Sequence, residues 1–211
     1  MEPTETTVRA VRDVGPNTVA IALDTPAEIE GRPGQFVKLS TIIDGDEQSR
    51  FYTVSSPDTD ETFELTVGYD SDEGGDFSAY LRSLDAGSAV TVTGPFGSDF
   101  YEGESDSLVL AGGPGVGPAV GIAEAAVRDG NDVTVVYLDD APVHTDRLDA
   151  LAEESDVHVV AGEPAFRDAI GDSLADQQLF VYGFSDFLEL AETAVEEHGG
   201  SFEGAKIENF G

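Results

Sequence analysis

The sequence predicts two domains: six antiparallel strands forming a small barrel or sandwich with one short helix, then an α/β doubly wound parallel sheet of five strands. Three observations predict this. Short β-prone runs separated by Gly, Pro and Asp fill the first half. Strand and helix patterns alternate in the second half. Between them lies the acidic, glycine-bearing stretch Gly97-Ser98-Asp99-Phe100-Tyr101-Glu102-Gly103-Glu104-Ser105-Asp106. The boundary is placed there, giving domains 1–103 and 104–211.

The elements follow in order. Val8–Asp13 precedes the turn Gly15-Pro16-Asn17, and Thr18–Leu23 alternates up to Asp24-Thr25-Pro26. Gln35–Ile43 follows Gly31-Arg32-Pro33-Gly34, and Arg50–Ser55, Phe63–Val67 and Ala89–Thr93 complete six strands. Phe77, Tyr80, Leu81 and Leu84 repeat at helical spacing, so residues 77–84 are a helix inside an otherwise β half. Gly94-Pro95-Phe96-Gly97 reads as a turn. In the second half Leu108–Ala111, Val133–Leu138, Val157–Val160, Leu179–Tyr182 and Lys206–Phe210 are strands. Val116–Asp129, Thr145–Glu154, Ala165–Leu174 and Ser185–His198 are the helices between them. In the last helix Phe187, Leu190, Ala191, Ala194, Val195 and His198 form one face, which assigns His198 to the core.

Charge excludes whole classes of partner. The chain has 10 Lys and Arg against 43 Asp and Glu, a net charge of −33. Nucleic-acid binding depends on cationic phosphate contacts, so neither nucleic acid nor an anionic membrane is a partner. In molar salt the screening length falls to about 3 Å, which relieves the self-repulsion. The composition is thus that of a protein from a salt-accumulating cell. There is no apolar run long enough for a membrane span, and the acidic start Met1-Glu2-Pro3-Thr4-Glu5 is no signal peptide, so the expected location is the cytoplasm. The absence of cysteine removes disulfides, thiolate nucleophiles and iron–sulfur ligation. The three histidines are scattered without metal-ligand spacing. In so acidic a chain one carboxylate says little, and one arginine says more.

Three stretches could carry chemistry. Arg50-Phe51-Tyr52-Thr53-Val54-Ser55-Ser56-Pro57 puts a cation at the head of an apolar strand. A desolvated cation needs an anion, and a guanidinium fork suits phosphate; a local carboxylate, Asp44 or Glu47, would serve equally. Leu110-Ala111-Gly112-Gly113-Pro114-Gly115-Val116-Gly117-Pro118 joins a strand to a helix. Its glycines either let the backbone approach a pyrophosphate at a helix N-terminus or serve only a tight strand-to-helix turn. Gly74-Gly75-Asp76-Phe77-Ser78 opens the short helix, as an anion site or as a serine cap after a turn.

With the Gly94–Gly97 turn, these motifs in this order resemble the ferredoxin–NADP reductase family and its NADH–cytochrome reductase relatives. The resemblance covers nearly the whole chain. It implies a six-stranded barrel that binds FAD, with FMN as the alternative, and an α/β domain that binds NADH or NADPH. It implies that Arg50 contacts the flavin pyrophosphate, Tyr52 packs on the flavin and Thr53 lies near its N5. Gly74, Gly75 and Ser78, with the Phe77 amide, fall on the second pyrophosphate contact, and Val67 and Tyr69 on the ribityl contact. Gly112, Gly113, Gly115 and Pro118 match the nicotinamide-nucleotide loop. Tyr182-Gly183-Phe184 stands where the family often has Cys-Gly-Pro, so Gly183 and Phe184 are placed beside the nicotinamide without the thiol. The ending Glu208-Asn209-Phe210-Gly211 resembles family endings, with Phe210 covering the flavin and Glu208 handling protons. Asp139 and Asp140 follow the second sheet strand, where an acid bonds a ribose 2′-hydroxyl and repels a 2′-phosphate, so NADH is preferred. The implied reaction moves a hydride between nicotinamide and flavin and passes electrons to an unidentified acceptor, a ferredoxin or other redox protein. A free-flavin reductase and a non-catalytic electron-transfer subunit are the alternatives.

Overall fold

The computed structural model describes residues 2–69 and 76–211. Six strands form the first sheet: β1 (Thr4–Gly15), β2 (Thr18–Asp24), β3 (Phe36–Ile43), β4 (Asp46–Thr53), β5 (Thr62–Gly68) and β6 (Ala89–Phe96). All pairings are antiparallel, in the order β4-β3-β6-β1-β2-β5. A bridge between Val54 and Leu65 joins the two edges and closes the sheet as a barrel. Alternation sends Val19, Ile21 and Leu23 of β2 and Phe63, Leu65 and Val67 of β5 into one core. The helix α1 (Asp76–Arg82) plugs this core with Phe77 and Leu81.

The second sheet is parallel, in the order β11-β10-β7-β8-β9. Its strands are β7 (Asp106–Gly112), β8 (Asp132–Leu138), β9 (Asp156–Val160), β10 (Gln178–Gly183) and β11 (Lys206–Asn209). Helices α2 (Val116–Asp129) and α3 (Thr145–Leu151) cover the face carrying Val109, Ala111, Val135 and Tyr137. Helices α4 (Glu163–Ser173) and α5 (Ser185–Glu197) cover the face carrying Leu108, Leu110, Val136 and Val181. Strands buried on both faces are continuous apolar runs, which is why β7 reads Leu-Val-Leu-Ala in sequence. The strand order reverses at β7, so a crevice opens at the carboxyl ends of β7 and β10.

Several local expectations change. Gly94–Phe96 is not a turn but the end of β6, with Phe96 paired to Phe36. Helix α3 stops at Leu151, because Ala152, Glu154 and Ser155 turn back to bond the carbonyls of Leu148 and Leu151. His198 is not core: it is exposed at the end of α5, its ring against Gly171, where any Cβ would strike it. Among the described residues no helix is long and apolar enough to cross a membrane.

Candidate active site

A cavity of about 980 Å³ lies where the barrel meets the carboxyl ends of β10 and β11. β4 contributes Phe51, Tyr52 and Thr53, and β5 contributes Thr66 and Gly68. From the second domain come Pro114, Pro118, Phe184 and Glu208–Gly211. Strand alternation separates the functions of neighbouring residues. Tyr52 turns toward α1 and stacks on Phe77, 6.4 Å between ring centres at 14°. Burial raises its pKa, and the nearby Ser78 hydroxyl and Arg50 charge work against that. Phe51 turns the other way, is 61% exposed, and meets Phe36 and Phe96 edge-on.

Thr53 is buried, and its hydroxyl donates to Glu208 Oε2 at 2.9 Å, a bond between the barrel and the last strand. Burial raises the Glu208 pKa to about 7; the Asp99 charge adds to this, while the Thr53 hydrogen bond works against it. Beside it, Phe210 and Phe184 meet edge to face at 6.0 Å. The tail is held by Ser185, whose hydroxyl donates to the Gly211 carbonyl at 2.8 Å.

Other predicted residues are placed differently. Arg50 is exposed, and its guanidinium donates to the Ser49 carbonyl at 2.8 Å. Neither Asp44 nor Glu47 pairs with it, and no described carboxylate lies within 4.0 Å. The Val67 side chain is fully buried in the barrel core, so Thr66 and Gly68, its neighbours, face the cavity instead. The Tyr69 ring lines the cavity and carries Arg82 over it at 4.1 Å. Gly74 and Gly75 lie outside the described residues.

The glycine-rich loop shows the sharpest departure. It forms a 3₁₀ turn, Gly113–Gly115, leading into α2. A Cβ on Gly112 would strike the Phe187 ring, one on Gly115 the Tyr182 carbonyl, and one on Gly117 the Thr66 and Ser55 hydroxyls. These glycines therefore admit other parts of the protein. Only Gly113, at φ +53° with open space around it, is free to meet a ligand closely. Tyr182 is fully buried and its phenol donates to the Asp99 carbonyl at 3.1 Å, away from the cavity. Gly183 is buried at the end of β10, and Phe184, 51% exposed, is the residue of that segment that reaches the cavity. Asp139 accepts from the Tyr137 phenol at 2.9 Å and the Ala141 amide at 2.8 Å, while Asp140 is exposed.

A polar seam that no sequence motif marks runs between the domains. Arg147 donates to Glu124, Glu64 and the Ser55 carbonyl at 2.7–2.9 Å. Buried His144 meets Thr66 Oγ1 at 2.8 Å; burial first, then Arg147 and Arg12, lower its pKa to about 3. Nothing periodic marks such residues. Among the described residues no group of three His, Asp or Glu is placed to hold a metal ion.

Residues 5–101 match the oxidoreductase FAD-binding domain family. NADH-cytochrome b5 reductase 3 of Rattus norvegicus is 34% identical over 56% of this chain and 48% of its own length. NADH-cytochrome b5 reductase 1 of Neosartorya fischeri is 36% identical over 69% of this chain and 49% of its own. The chain thus spans about half the length of the curated relatives it matches. A ferredoxin NADP+ reductase from Neisseria gonorrhoeae, solved with bound FAD and NADP, shares the fold over all of both chains, with a TM-score of 0.81 at 19% identity. The FAD/NAD-binding domain of a Vibrio cholerae nitric oxide dioxygenase does so over 98% of each, with a TM-score of 0.83 at 19% identity. The match lies on the barrel, and the likeness to the solved structures extends over both domains. Residues 5–101 are thus similar to an oxidoreductase FAD-binding domain, and the chain shares the fold of the ferredoxin NADP+ reductase structure.

Proposed function

We propose that this protein is an FAD-dependent NAD(P)H oxidoreductase that delivers electrons to a separate acceptor, with domains 1–103 and 104–211. The observation that carries the reading is the Thr53–Glu208 hydrogen bond, which closes one wall of the interdomain cavity. The cavity's volume is in the usual range for a cofactor site, and aromatic walls with a few polar groups fit a flat heterocycle. Tyr52 and Thr53 would hold the ring from the barrel side, and Arg50 and Ser78, both near Tyr52, would meet a phosphate tail. Phe210 and Phe184 cover the cavity from the other side and exclude water. Pro114 and Pro118 line the cavity from the second domain, and Gly113 precedes Pro114. When bound, the flavin supplies the chemistry of accepting a hydride and releasing electrons singly or in pairs. Glu208 holds or releases a proton beside Thr53, at a pKa suited to neutral pH.

The test is the visible spectrum of protein purified in molar salt, before and after NADH. A flavin band that bleaches supports the reading; a colourless protein that takes up no added flavin, or a band that neither NADH nor NADPH bleaches, overturns it. Arg50→Ala should lower retained flavin at least tenfold, since a charge-assisted contact to phosphate contributes about 1.5–3 kcal/mol. The second domain should keep its circular-dichroism signal. Unchanged flavin content in that variant would return Arg50 to a surface role.

NADH is favoured over NADPH. Asp139 is fixed by two donors at the end of β8 and Asp140 stands exposed beside it. Two carboxylates there oppose a 2′-phosphate. The kcat/KM for NADH should exceed that for NADPH about tenfold or more. A preference for NADPH would remove Asp139 and Asp140 from the site.

A further inference from the structure

The cavity has one polar wall that no motif announces. It is formed by the β1–β2 turn, where Pro16, Asn17 and Thr18 line the same space as Thr66 and Gly68. Asn17 sits at φ +50°, one of three described non-glycine residues in the left-handed region. Backbone held in that region by its surroundings tends to occur at ligand sites. The turn is pinned from several sides. The Tyr69 amide donates to the Asn17 carbonyl at 2.9 Å, and the His144 amide donates to the Val14 carbonyl at 2.8 Å. A Cβ on Gly15 would strike Val143, so the second domain presses directly on the turn. His144, a second left-handed residue at φ +56°, meets Thr66 at the same junction. The Asn17 backbone is thus fixed beside the second domain, and its exposed side chain lines the cavity with no hydrogen-bond partner among the described residues.

The cavity lining also includes four aromatic side chains, Phe36, Phe51, Phe184 and Phe210. A cavity lined by both polar and aromatic side chains suits a ring with one polar edge. A side-chain amide carries a donor and an acceptor side by side. Its complement is an edge that also carries a carbonyl and an N–H.

We propose that Asn17 is a ligand-positioning residue whose amide pairs with the amide-type edge of a ring bound in the cavity. Two sources carry that edge, the pyrimidine of a flavin and the carboxamide of a nicotinamide. The inference rests on the flavoprotein reading, and it adds a contact supplied by the β1–β2 turn.

The test uses the full chain in molar salt with Asn17→Gly and Asn17→Asp. Glycine accepts the φ of this turn, so the backbone is kept. Aspartate keeps the shape but loses the donor. Two quantities are measured: the Kd of the flavin-stripped protein for FAD, by fluorescence titration, and the KM for NADH of the flavin-loaded protein. Losing such a pair weakens binding about tenfold. A weakened FAD Kd in both variants, with a displaced flavin absorption band, assigns Asn17 to the flavin. An NADH KM raised about tenfold, with kcat and the FAD Kd unchanged, assigns it to the nicotinamide. Both quantities unchanged in both variants overturn the proposal. Wild-type protein that takes up no FAD overturns the flavoprotein reading instead, and this inference with it.

Discussion

Glu208→Gln is expected to remove the pH dependence of flavin reduction by NADH between pH 6 and 8. Glu208 has its pKa raised to about 7 by burial, so it changes charge inside that window. In the proposed reaction, electrons arriving in the cavity would bring negative charge. A neutral Glu208 tolerates that charge and an ionised one opposes it. Two charges about 6 Å apart at an effective dielectric near 20 interact by about 3 kcal/mol. The wild-type rate should therefore fall on the order of a hundredfold as pH rises through 7. The glutamine variant stays neutral and still accepts from Thr53, so its profile should be flat. If proton handling by Glu208 also limits the rate, the plateau should fall by a further 10²-fold or more. A variant profile that still breaks near 7 would assign the titration to another group. Stability runs the same way for this residue. Its folded pKa lies above the ordinary carboxylate value, so the stability it contributes is complete below pH 4.5 and is lost as pH rises through 7.

The sequence makes the architecture readable wherever burial imposes a period. The doubly buried strand β7 reads as a continuous apolar run, and α2 occupies the same residues, Val116–Asp129, that its pattern predicts. Period fails at ends: His198 continues the apolar stripe of α5, but the helix finishes beneath it and leaves its ring outside. Composition fails where one residue type serves two purposes. The glycines of the Gly112–Gly117 loop look like room for a ligand, yet three of them make room for Phe187, Tyr182 and the barrel hydroxyls. Val67 fails by one residue, since the strand turns Thr66 and Gly68 to the cavity. The Thr53–Glu208 pair joins residues 155 positions apart, and only the resemblance placed both in one site. The seam of Ser55, Glu64, Thr66, His144 and Arg147 has neither period nor motif, so only the folded chain shows it.

That seam supports the second large effect: Arg147→Ala should destabilise the protein by about 2–4 kcal/mol. The guanidinium holds both oxygens of Glu124, one oxygen of Glu64 and the Ser55 carbonyl. Its side chain is 22% exposed and that of Glu64 10%, so water cannot fully replace what is lost. Glu64 would keep only Arg12, which is itself 62% exposed, and the Ser55 carbonyl would lose this donor. Partial exposure of the pair places the expected loss toward and below the low end of the usual cost of breaking a buried ion pair, about 3–5 kcal/mol. For a chain of this size such a loss lowers Tm by roughly 5–15 °C. Molar salt should not rescue it, because contacts at hydrogen-bond distance in a partly buried seam are screened far less than surface charges. Arg147→Lys should recover only part of the loss, since a point charge cannot hold two carboxylates and a carbonyl at once. The two variants and the wild type are compared by circular-dichroism melting in high salt, and a Tm within 2 °C of wild type for the alanine variant would refute the argument. The same seam fixes how the second domain sits on β5, and with it the reach of Glu208 to Thr53. Arg147→Ala, measured well below its Tm, should therefore also blunt the Glu208-dependent pH profile, although Arg147 does not line the cavity.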